Sequence, residues 1–417
     1  MNNKTTPVAS AEPIAVGSKL QGRVRLTYLD GIRGLAALYV VLVHVWISEG
    51  SDELVPSWFW AGLEKSLRYG IFAVVIFVTL SGYCLMLPVV RSGKTELSGG
   101  VGKFLKRRIR RILPPYYASL VFCLAIALLM LGLDRFTPID WNAAGIEELK
   151  GLFTPTLFSW RDWAIYLLFI QNFNLHEHTI NGPAWAVATE GQIYIVFALL
   201  LLPLWRAFKP WVGIGVAFGI GLLLHYAWGA RWDWANPWFL GFFALGMWAA
   251  EVSFSPRAGF TRLRKELPWG WIAIATFPIG FAIEWLRFRP QFSGVEPWMA
   301  QTGIAIWCMA LLIYCTRDLT TDRSLNGGKV APILRFLELS PVVYLGTISY
   351  SLYIIHAPII ILIYQGLLLS PLSPSGVALA WIILGVLVSL GCAYVFHQVI
   401  ERPFLTHFAK DLKSGAG

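Results

Sequence analysis

Residues 28–46 read YLDGIRGLAALYVVLVHVW, and this stretch indicates both a fold class and a function. It is apolar and close to the roughly 20 residues that an α-helix needs to cross a bilayer. It nevertheless carries Arg33 near its start and His44 near its end. Ionisable side chains are costly inside a membrane and are usually kept for a task. The stretch therefore predicts a transmembrane helix that contributes to a functional site.

The whole chain has the composition of a membrane protein. Of its 417 residues, 56% are hydrophobic and 14% are charged, whereas a soluble domain has roughly 25% charged residues. The net charge of +10 comes from residues that fall between apolar runs. It therefore indicates topology rather than the solvated basic face of a nucleic-acid-binding protein. The five cysteines show no disulfide or metal-ligand spacing, and we interpret them as small buried side chains.

About ten apolar segments could span the membrane, with nine to eleven as the range that short runs leave open. The sequence therefore predicts an all-α polytopic membrane protein of about ten transmembrane helices. The approximate segments are 29–47, 70–90, 112–133, 183–205, 211–229, 238–252, 269–286, 298–316, 341–367 and 376–400.

The Lys and Arg residues orient the chain. With the N-terminus inside, 26 of the 34 fall in segments predicted to be cytoplasmic and 8 in the outer segments. Short cytoplasmic loops retain positive charge, so both termini are predicted to be cytoplasmic. The predicted organisation is a disordered cytoplasmic tail over 1–26 that lacks a signal-peptide core, a transmembrane domain over 27–405, and a cytoplasmic tail over 406–417.

Arg33 and His44 lie on nearly the same face of the first predicted helix. Eleven residues make about three turns, so the two side chains are about 16 Å apart along the axis. Arg33 is predicted at the cytoplasmic edge and His44 toward the outer face. A long, thin ligand that is anionic at one end and reactive at the other would contact both, and coenzyme A has that shape. Alternatively, Arg33 extends to lipid headgroups and His44 packs against a polar neighbour.

The segment KFLKRRIRRILPPYY, residues 103–117, places Arg108 and Arg111 on adjacent turns of one helical face. Two prolines follow, and they predict a change of direction. Paired guanidinium groups bind phosphate oxygens bidentately, so this face is a candidate phosphate site. The alternative is an anchor for lipid headgroups at the cytoplasmic surface.

Glu190 is the candidate carboxylate. It lies in NGPAWAVATEGQIYIVF, residues 181–197, with Trp185 and Tyr194 at helical spacing. A carboxylate inside a membrane is expensive unless it is paired or used. We predict Glu190 at a depth comparable to His44, where it could orient the imidazole or bind acceptor hydroxyls. The alternative is a structural carboxylate paired with an arginine.

A further group of polar residues lies in LGTISYSLYIIHAPI, residues 345–359. Tyr350, Tyr353 and His356 fall inside an apolar span, and His356 shares a face with Tyr353. These residues are candidate acceptor ligands. The alternative is an interhelical hydrogen bond with no role in binding.

Together these segments resemble the membrane-bound acyltransferase 3 family over roughly residues 27–405. The resemblance implies about ten helices and transfer of an acyl group, usually acetyl from acetyl-CoA, to a carbohydrate hydroxyl at the outer side of the bacterial inner membrane. Because only 15 residues follow Arg402, a stand-alone transmembrane member is expected. The matching segments, in order, are YLDGIRGLAALYVVLVHVW, IFVTLSGYCL (76–85), KRRIRRILPPYY, PAWAVATEGQIY, ISYSLYIIHAPI and VIERPF (399–404).

The resemblance also implies residue roles. Arg33 and His44 match an R-x10-H motif, Arg108 and Arg111 match R-x-x-R, and Glu190 matches the acidic residue that follows a tryptophan. A thioester is already activated, so the enzyme must supply a base, a held carbonyl and an anchor for the coenzyme. His44 is then the candidate base, oriented by Glu190, and the three arginines hold the phosphates. A route through acyl-His44 remains open.

The predicted ligands follow from these roles. Acetyl-CoA is the expected co-substrate, and the acceptor is a cell-surface polysaccharide, lipopolysaccharide or lipid-linked glycan. Membrane lipids and glycan-assembly proteins are candidate partners, and no nucleic acid is expected. No metal is expected either, because the loop pair His176 and His178 is interpreted as solvated. The residues predicted to bind the acceptor are Trp185, Tyr194, Tyr350, Tyr353 and His356.

Other interpretations stay open at this stage. Gly191 stands where the family often has a second acidic or polar residue, which argues against a paired carboxylate. Intramembrane Arg, His and Glu also occur in transporters and lipid flippases, where they line a substrate or proton pathway. The same fold could also use another donor, such as succinyl-CoA.

The charge distribution predicts the topology directly. We expect reporter fusions at residues 98 and 260 to give cytoplasmic signals and fusions at 145 and 292 to give external signals, because positive charge is retained inside. The measurement is a pair of reporters, one active only inside and one only outside. A cytoplasmic signal at 145 would contradict the predicted orientation of the site.

Overall fold

The protein is an assembly of long helices. The computed structural model describes residues 26–46, 66–93, 96–137, 153, 159–173, 179–228, 235–320 and 331–405. This part of the chain is 86% helical and contains no strand. Nine of its helices are long and apolar enough to cross a membrane. The predicted all-α membrane fold is therefore confirmed. The predicted tails, 1–26 and 406–417, lie outside the described residues except for Leu26.

The helices follow the predicted segments closely. In chain order they are α1 Thr27–Trp46, α2 Gly70–Ser92, α3 Gly100–Phe136, α4 Trp160–Leu167, α5 Ala184–Ala207, α6 Pro210–Trp228, α7 Phe239–Phe254, α8 Ala258–Glu266, α9 Trp269–Arg287, α10 Pro297–Thr320, α11 Pro332–Leu337, α12 Ser340–Leu368 and α13 Ser375–Leu405.

Two helices differ from their predicted segments. The segment 238–252 corresponds to α7, which has 16 residues and joins the basic helix α8 through a bend of 93°. This pair makes a tenth span only if its two helices are taken together. The two prolines after Arg111 do not end the helix, because α3 continues through Pro114 and Pro115. Near these prolines Tyr350 on α12 donates its hydroxyl to the carbonyl of Ile112 at 3.0 Å, which joins α12 to α3.

The spans divide into a central group and a peripheral group. The central group is α1, α2, α10 and α12, and 56–67% of the apolar stretch of each is buried inside the protein. The peripheral group is α6, α9 and α13, where the buried share is 22%. The peripheral helices instead expose large side chains such as Trp211, Leu387 and Ile274. A helix that is apolar all round and buried on one side is suited to contact lipid on the other. The site residues lie on the central helices and on the parts of α3 and α5 that pack against them.

Very short backbone approaches fix the central helices. A Cβ atom added to Gly346 on α12 would lie 1.9 Å from the carbonyl oxygen of Asp30 on α1. A Cβ atom added to Gly246 on α7 would lie 1.9 Å from the carbonyl oxygen of Thr79 on α2. Small residues are typical of such contacts, because membrane helices associate by close packing rather than by the hydrophobic effect. The two contacts set the positions of α1 and α2 relative to their partners.

A buried polar contact joins three of these helices at one end. The hydroxyl of Thr316 on α10 lies 2.7 Å from the hydroxyl of Tyr28 on α1 and 2.7 Å from that of Tyr83 on α2. All three residues are buried. Such hydrogen bonds between membrane helices contribute about 0.6 kcal/mol on average. The contact therefore adds directional specificity more than stability.

The close approach of α1 to α12 predicts that one methyl group added at Gly346 destabilises the protein. We expect Gly346→Ala to lower the free energy of unfolding by about 1–3 kcal/mol, the usual cost of overpacking, because the new Cβ atom has no space beside Asp30. The measurement is thermal or denaturant unfolding of the purified protein in detergent.

The matched control is Gly219→Ala on α6, where no heavy atom lies within 4 Å of an added Cβ atom. Alanine has the higher helix propensity, so this control should leave stability unchanged or raise it. Equal stability of the two variants would contradict the close contact at Gly346.

Candidate active site

A cavity opens among the central helices and collects most of the predicted site residues. Its empty volume is about 920 Å³ including the open mouth. Seven of the ten predicted residues line it. They are Arg33 from α1, Arg108 and Arg111 from α3, Glu190 and Tyr194 from α5, and Tyr350 and Tyr353 from α12.

Three guanidinium groups define one end of the cavity, which we call the arginine end: Arg33, Arg108 and Arg111. Arg33 lies 3.5 Å from Asp30 and donates to the Sγ atom of Cys84 at 3.8 Å. The Nε atom of Arg108 is buried without a hydrogen-bond partner. Among the described residues neither Arg108 nor Arg111 forms an ion pair with a carboxylate. Buried donors are normally satisfied, so this end is suited to an anionic ligand.

Glu190 belongs to the arginine end rather than to the depth of His44. Its carboxylate accepts hydrogen bonds from the hydroxyl groups of Ser81 and Tyr194. Ser81 lies on α2 only one turn from Cys84, which contacts Arg33. The expectation that Glu190 and His44 lie at one depth is therefore wrong.

The cavity runs along α2 away from the arginines. Its lining includes Cys84 at the arginine end and Val74 at the other, and ten residues of helix correspond to about 15 Å. One turn beyond Val74, Gly70 packs against α1, where its added Cβ atom would lie 2.9 Å from a methyl carbon of Val43. Val43 precedes His44 in the chain. The cavity therefore extends from the arginines toward the level of His44.

Two imidazole rings lie at that level, and we call this place the histidine end: His44 on α1 and His356 on α12. The Nδ1 atom of His44 lies 2.7 Å from the Nε2 atom of His356. His356 is fully buried, whereas His44 is partly buried. The ring of Tyr353, which lines the cavity, lies 6.2 Å from the ring of His356, centroid to centroid. Tyr353 therefore belongs to the part of the cavity wall that lies near His356.

Three predicted residues lie outside the cavity lining. They are His44, His356 and Trp185, and the first two face each other at the histidine end. Trp185 packs instead against Phe239 of α7, with ring centroids 6.2 Å apart. Gly191 also has a structural explanation, because an added Cβ atom would lie 2.5 Å from the ring of Phe169. A second carboxylate next to Glu190 has no room there.

Sequence reasoning missed several residues that line the cavity. Ser81 and Cys84 are the polar residues among them. Cys84 is not the inert side chain that its apolar neighbours suggested, because its sulfur accepts a hydrogen bond from Arg33. The signal that could have identified them is a stripe along one face of α2, because its lining positions are related by spacings of three and four residues. These positions are Val74, Phe77, Val78, Ser81, Cys84 and Leu85.

Metal ligation finds no support within the described residues. No group of three or more His, Cys, Asp or Glu side chains there could hold a metal ion. His176 and His178, which form the H-x-H pair of the sequence, lie outside the described residues.

Comparison with known proteins places the chain in a family. The family model of the acyltransferase domain (acyltransferase 3) matches residues 26–398. O-acetyltransferase OatA of Staphylococcus aureus is 24% identical over 349 residues, which are 80% of this chain and 50% of the relative. The putative peptidoglycan O-acetyltransferase YrhL of Bacillus subtilis is 23% identical over 398 residues, 91% of this chain and 54% of the relative.

The match covers the chain more fully than it covers the relatives. The chain spans about half the length of these curated relatives. No solved structure gives a significant match. The family match includes all ten predicted site residues, from Arg33 to His356. The resemblance found in the sequence motifs is therefore confirmed, and the chain belongs to the acyltransferase 3 family of membrane proteins.

Proposed function

We propose that the protein transfers an acetyl group from cytoplasmic acetyl-CoA to a hydroxyl of a cell-surface carbohydrate at the outer side of the bacterial inner membrane. The observation that carries the proposal is the cavity, which has three arginines at one end and runs toward a histidine pair at the other. Two of the similar proteins are named as peptidoglycan O-acetyltransferases. Their names favour a glycan as the acceptor.

The arginine end is suited to the phosphates of the donor. Arg33, Arg108 and Arg111 outnumber the one carboxylate that lines the cavity, Glu190, so an anionic ligand would complete the charge balance. Arg108 approaches the face of Tyr194, with the guanidinium carbon 6.0 Å from the ring centroid. Stacking of this kind limits the orientations of a guanidinium group. In this proposal Glu190 positions Tyr194 and the arginines rather than His44.

The remaining cavity is suited to the arm of the donor. The distance from the arginines to Val74 is about 15 Å along α2, and the side chains between are largely apolar, including Phe77, Val78 and Leu85. An extended pantetheine chain bound there would bring its thioester toward Tyr353 and the histidine end. Glycan acceptors would then approach from the opposite side, where α1 and α2 have their outer ends in the proposed topology.

His44 would be the general base. It would take the proton from the acceptor hydroxyl while the oxygen attacks the thioester carbonyl carbon. The C–S bond then breaks, the thiolate leaves with the electron pair, and the imidazolium returns the proton to sulfur. The products are the acetyl ester and free coenzyme A, so atoms and charge balance.

Substitution of the arginines tests the donor site. We expect Arg108→Ala or Arg111→Ala to weaken acetyl-CoA binding by about 10- to 150-fold, since a hydrogen bond to a charged group contributes roughly 1.5–3 kcal/mol. Lysine at either position should restore binding only in part, because it cannot bind bidentately. Calorimetry with the purified protein in detergent measures the affinity.

Arg110→Ala is the matched control. Arg110 lies on the same helix, is exposed and is not among the residues that line the cavity. If all three variants insert and bind donor equally well, the basic cluster anchors the helix to lipid headgroups instead.

Substitution of His44 tests the chemistry. We expect His44→Ala to insert and to bind acetyl-CoA normally but to lose turnover by about 10²- to 10⁴-fold, because a general base contributes that factor. Binding should persist because the arginine end is separated from His44 by about three helical turns. The assay measures the mass of glycan fragments after incubation with acetyl-CoA and the purified protein.

The wild-type protein should add one acetyl group per modified sugar. Near-normal transfer by His44→Ala would contradict the assignment of the base. Loss of donor binding together with activity would assign His44 to the donor pocket instead. A wild-type protein that binds acetyl-CoA but acetylates no glycan would contradict the proposed acceptor.

A further inference from the structure

A chain of hydrogen bonds leads from a backbone carbonyl to the proposed base. The Nδ1 atom of His356 lies 3.1 Å from the carbonyl oxygen of Leu352, one turn earlier on α12. The Nε2 atom of His356 lies 2.7 Å from the Nδ1 atom of His44. His356 is fully buried. Both ring nitrogens of His356 are therefore engaged, one with the backbone and one with His44.

The two rings are arranged for a hydrogen bond rather than for stacking. Their planes are inclined by only 7°, and their centroids are 5.0 Å apart. The 2.7 Å between the two nitrogens plus one ring radius on each side gives about the 5.0 Å between the centroids. The line that joins the nitrogens therefore lies close to the line that joins the centroids, in the plane of both rings. The lone pair of an imidazole nitrogen points along this direction.

The direction of the hydrogens follows from the carbonyl. A carbonyl oxygen can only accept, so the hydrogen between Leu352 and His356 lies on the Nδ1 atom of His356. A neutral imidazole carries one hydrogen, so the Nε2 atom of His356 accepts. The hydrogen of the short contact must then lie on the Nδ1 atom of His44. The Nε2 atom of His44 is left without a hydrogen and makes no side-chain hydrogen bond among the described residues.

We propose that His356 is a positioning residue that holds His44 in the Nδ1–H tautomer, with the Nε2 atom free to act as the base toward the acceptor hydroxyl. The alternative assignment is a doubly protonated His356 that donates to both neighbours. It would place a full charge on a side chain with no exposure to solvent and with no carboxylate among its hydrogen-bond partners. Burial of an uncompensated charge is costly, which favours the neutral ring.

The same contact assists the proton transfer. When the Nε2 atom of His44 takes the acceptor proton, the ring becomes an imidazolium that already donates its Nδ1–H group to His356. The hydrogen bond then becomes charge-assisted and stronger at the moment when the charge develops. A histidine paired with a carboxylate gains the same kind of support. A neutral imidazole provides it without a permanent negative charge inside the membrane.

The tautomer is measurable without any substrate. We expect ¹⁵N NMR of histidine-labelled protein in lipid to show a neutral His44 with a protonated Nδ1 atom and an unprotonated Nε2 atom, assigned by the loss of its signals in His44→Ala. His356→Leu removes the acceptor, so His44 should no longer be held in this tautomer. A wild-type His44 with its hydrogen on the Nε2 atom would overturn the proposal.

Kinetics separates positioning from structure. We expect His356→Leu to lower kcat by about 10- to 100-fold, the size of the loss when the partner that orients a metal-bound histidine is removed, with donor affinity unchanged. His356→Gln, whose carboxamide offers an acceptor and a donor, should recover most of kcat and keep the hydrogen of His44 on Nδ1. Equal loss of kcat in both folded variants, with the tautomer of His44 unchanged, would overturn the proposal.

The proposal rests on the proposed function only for the kinetic part. If His44→Ala still transfers acetyl groups while NMR shows the Nδ1–H tautomer in the wild-type protein, the base assignment fails and the role of His356 in holding His44 stands. If His44→Ala is inactive but NMR shows the hydrogen on Nε2, the base assignment stands and the role of His356 fails. If His356→Leu does not fold, the wild-type and His356→Gln spectra decide the question.

Discussion

The close approach of α1 to α12 is the constraint on which the site depends. Gly346 lies so near the carbonyl of Asp30 that no side chain fits between the helices. The two helices therefore run side by side with a fixed offset, and further along them His44 meets His356 at hydrogen-bond distance. Arg33 lies on the same helix as His44, so the rise of α1 itself sets the distance between the arginine end and the histidine end.

The second constraint is the low polarity of the surroundings. Inside a membrane a buried polar group has no water to bind, so each one needs a protein partner or a ligand. The structure meets this need for Glu190 through Ser81 and Tyr194 and for His356 through Leu352 and His44. Arg108 is different, because its Nε atom is buried without a partner. An unsatisfied cationic donor beside a cavity is the electrostatic basis for placing an anionic ligand there.

The sequence predicted the helices well and the lateral contacts between them poorly. Apolar length alone located the spans, because the bilayer fixes how long a helix must be. Helical spacing also placed Arg108 and Arg111 on one face, and both line the cavity. The relative depth of residues on different helices was harder to predict, because it depends on how the helices are offset along one another. Glu190 was therefore predicted at the level of His44 but lies at the arginine end. The contact between His44 and His356 was not predicted, because the two residues lie in motifs 312 residues apart.

In the proposed mechanism this arrangement would keep the charged part of the donor apart from the place of reaction. A donor with several phosphates cannot enter the apolar interior at low cost, whereas its thioester arm can. The cavity keeps the guanidinium groups at one end and lines the path beyond them with apolar side chains such as Val78 and Phe77. In the proposed mechanism the two imidazoles at the far end are neutral and joined by one hydrogen bond, and a charge would develop there only while His44 holds the acceptor proton. A site built in this way would bring an activated acyl group across most of a membrane while the charged part of its carrier stays at the surface.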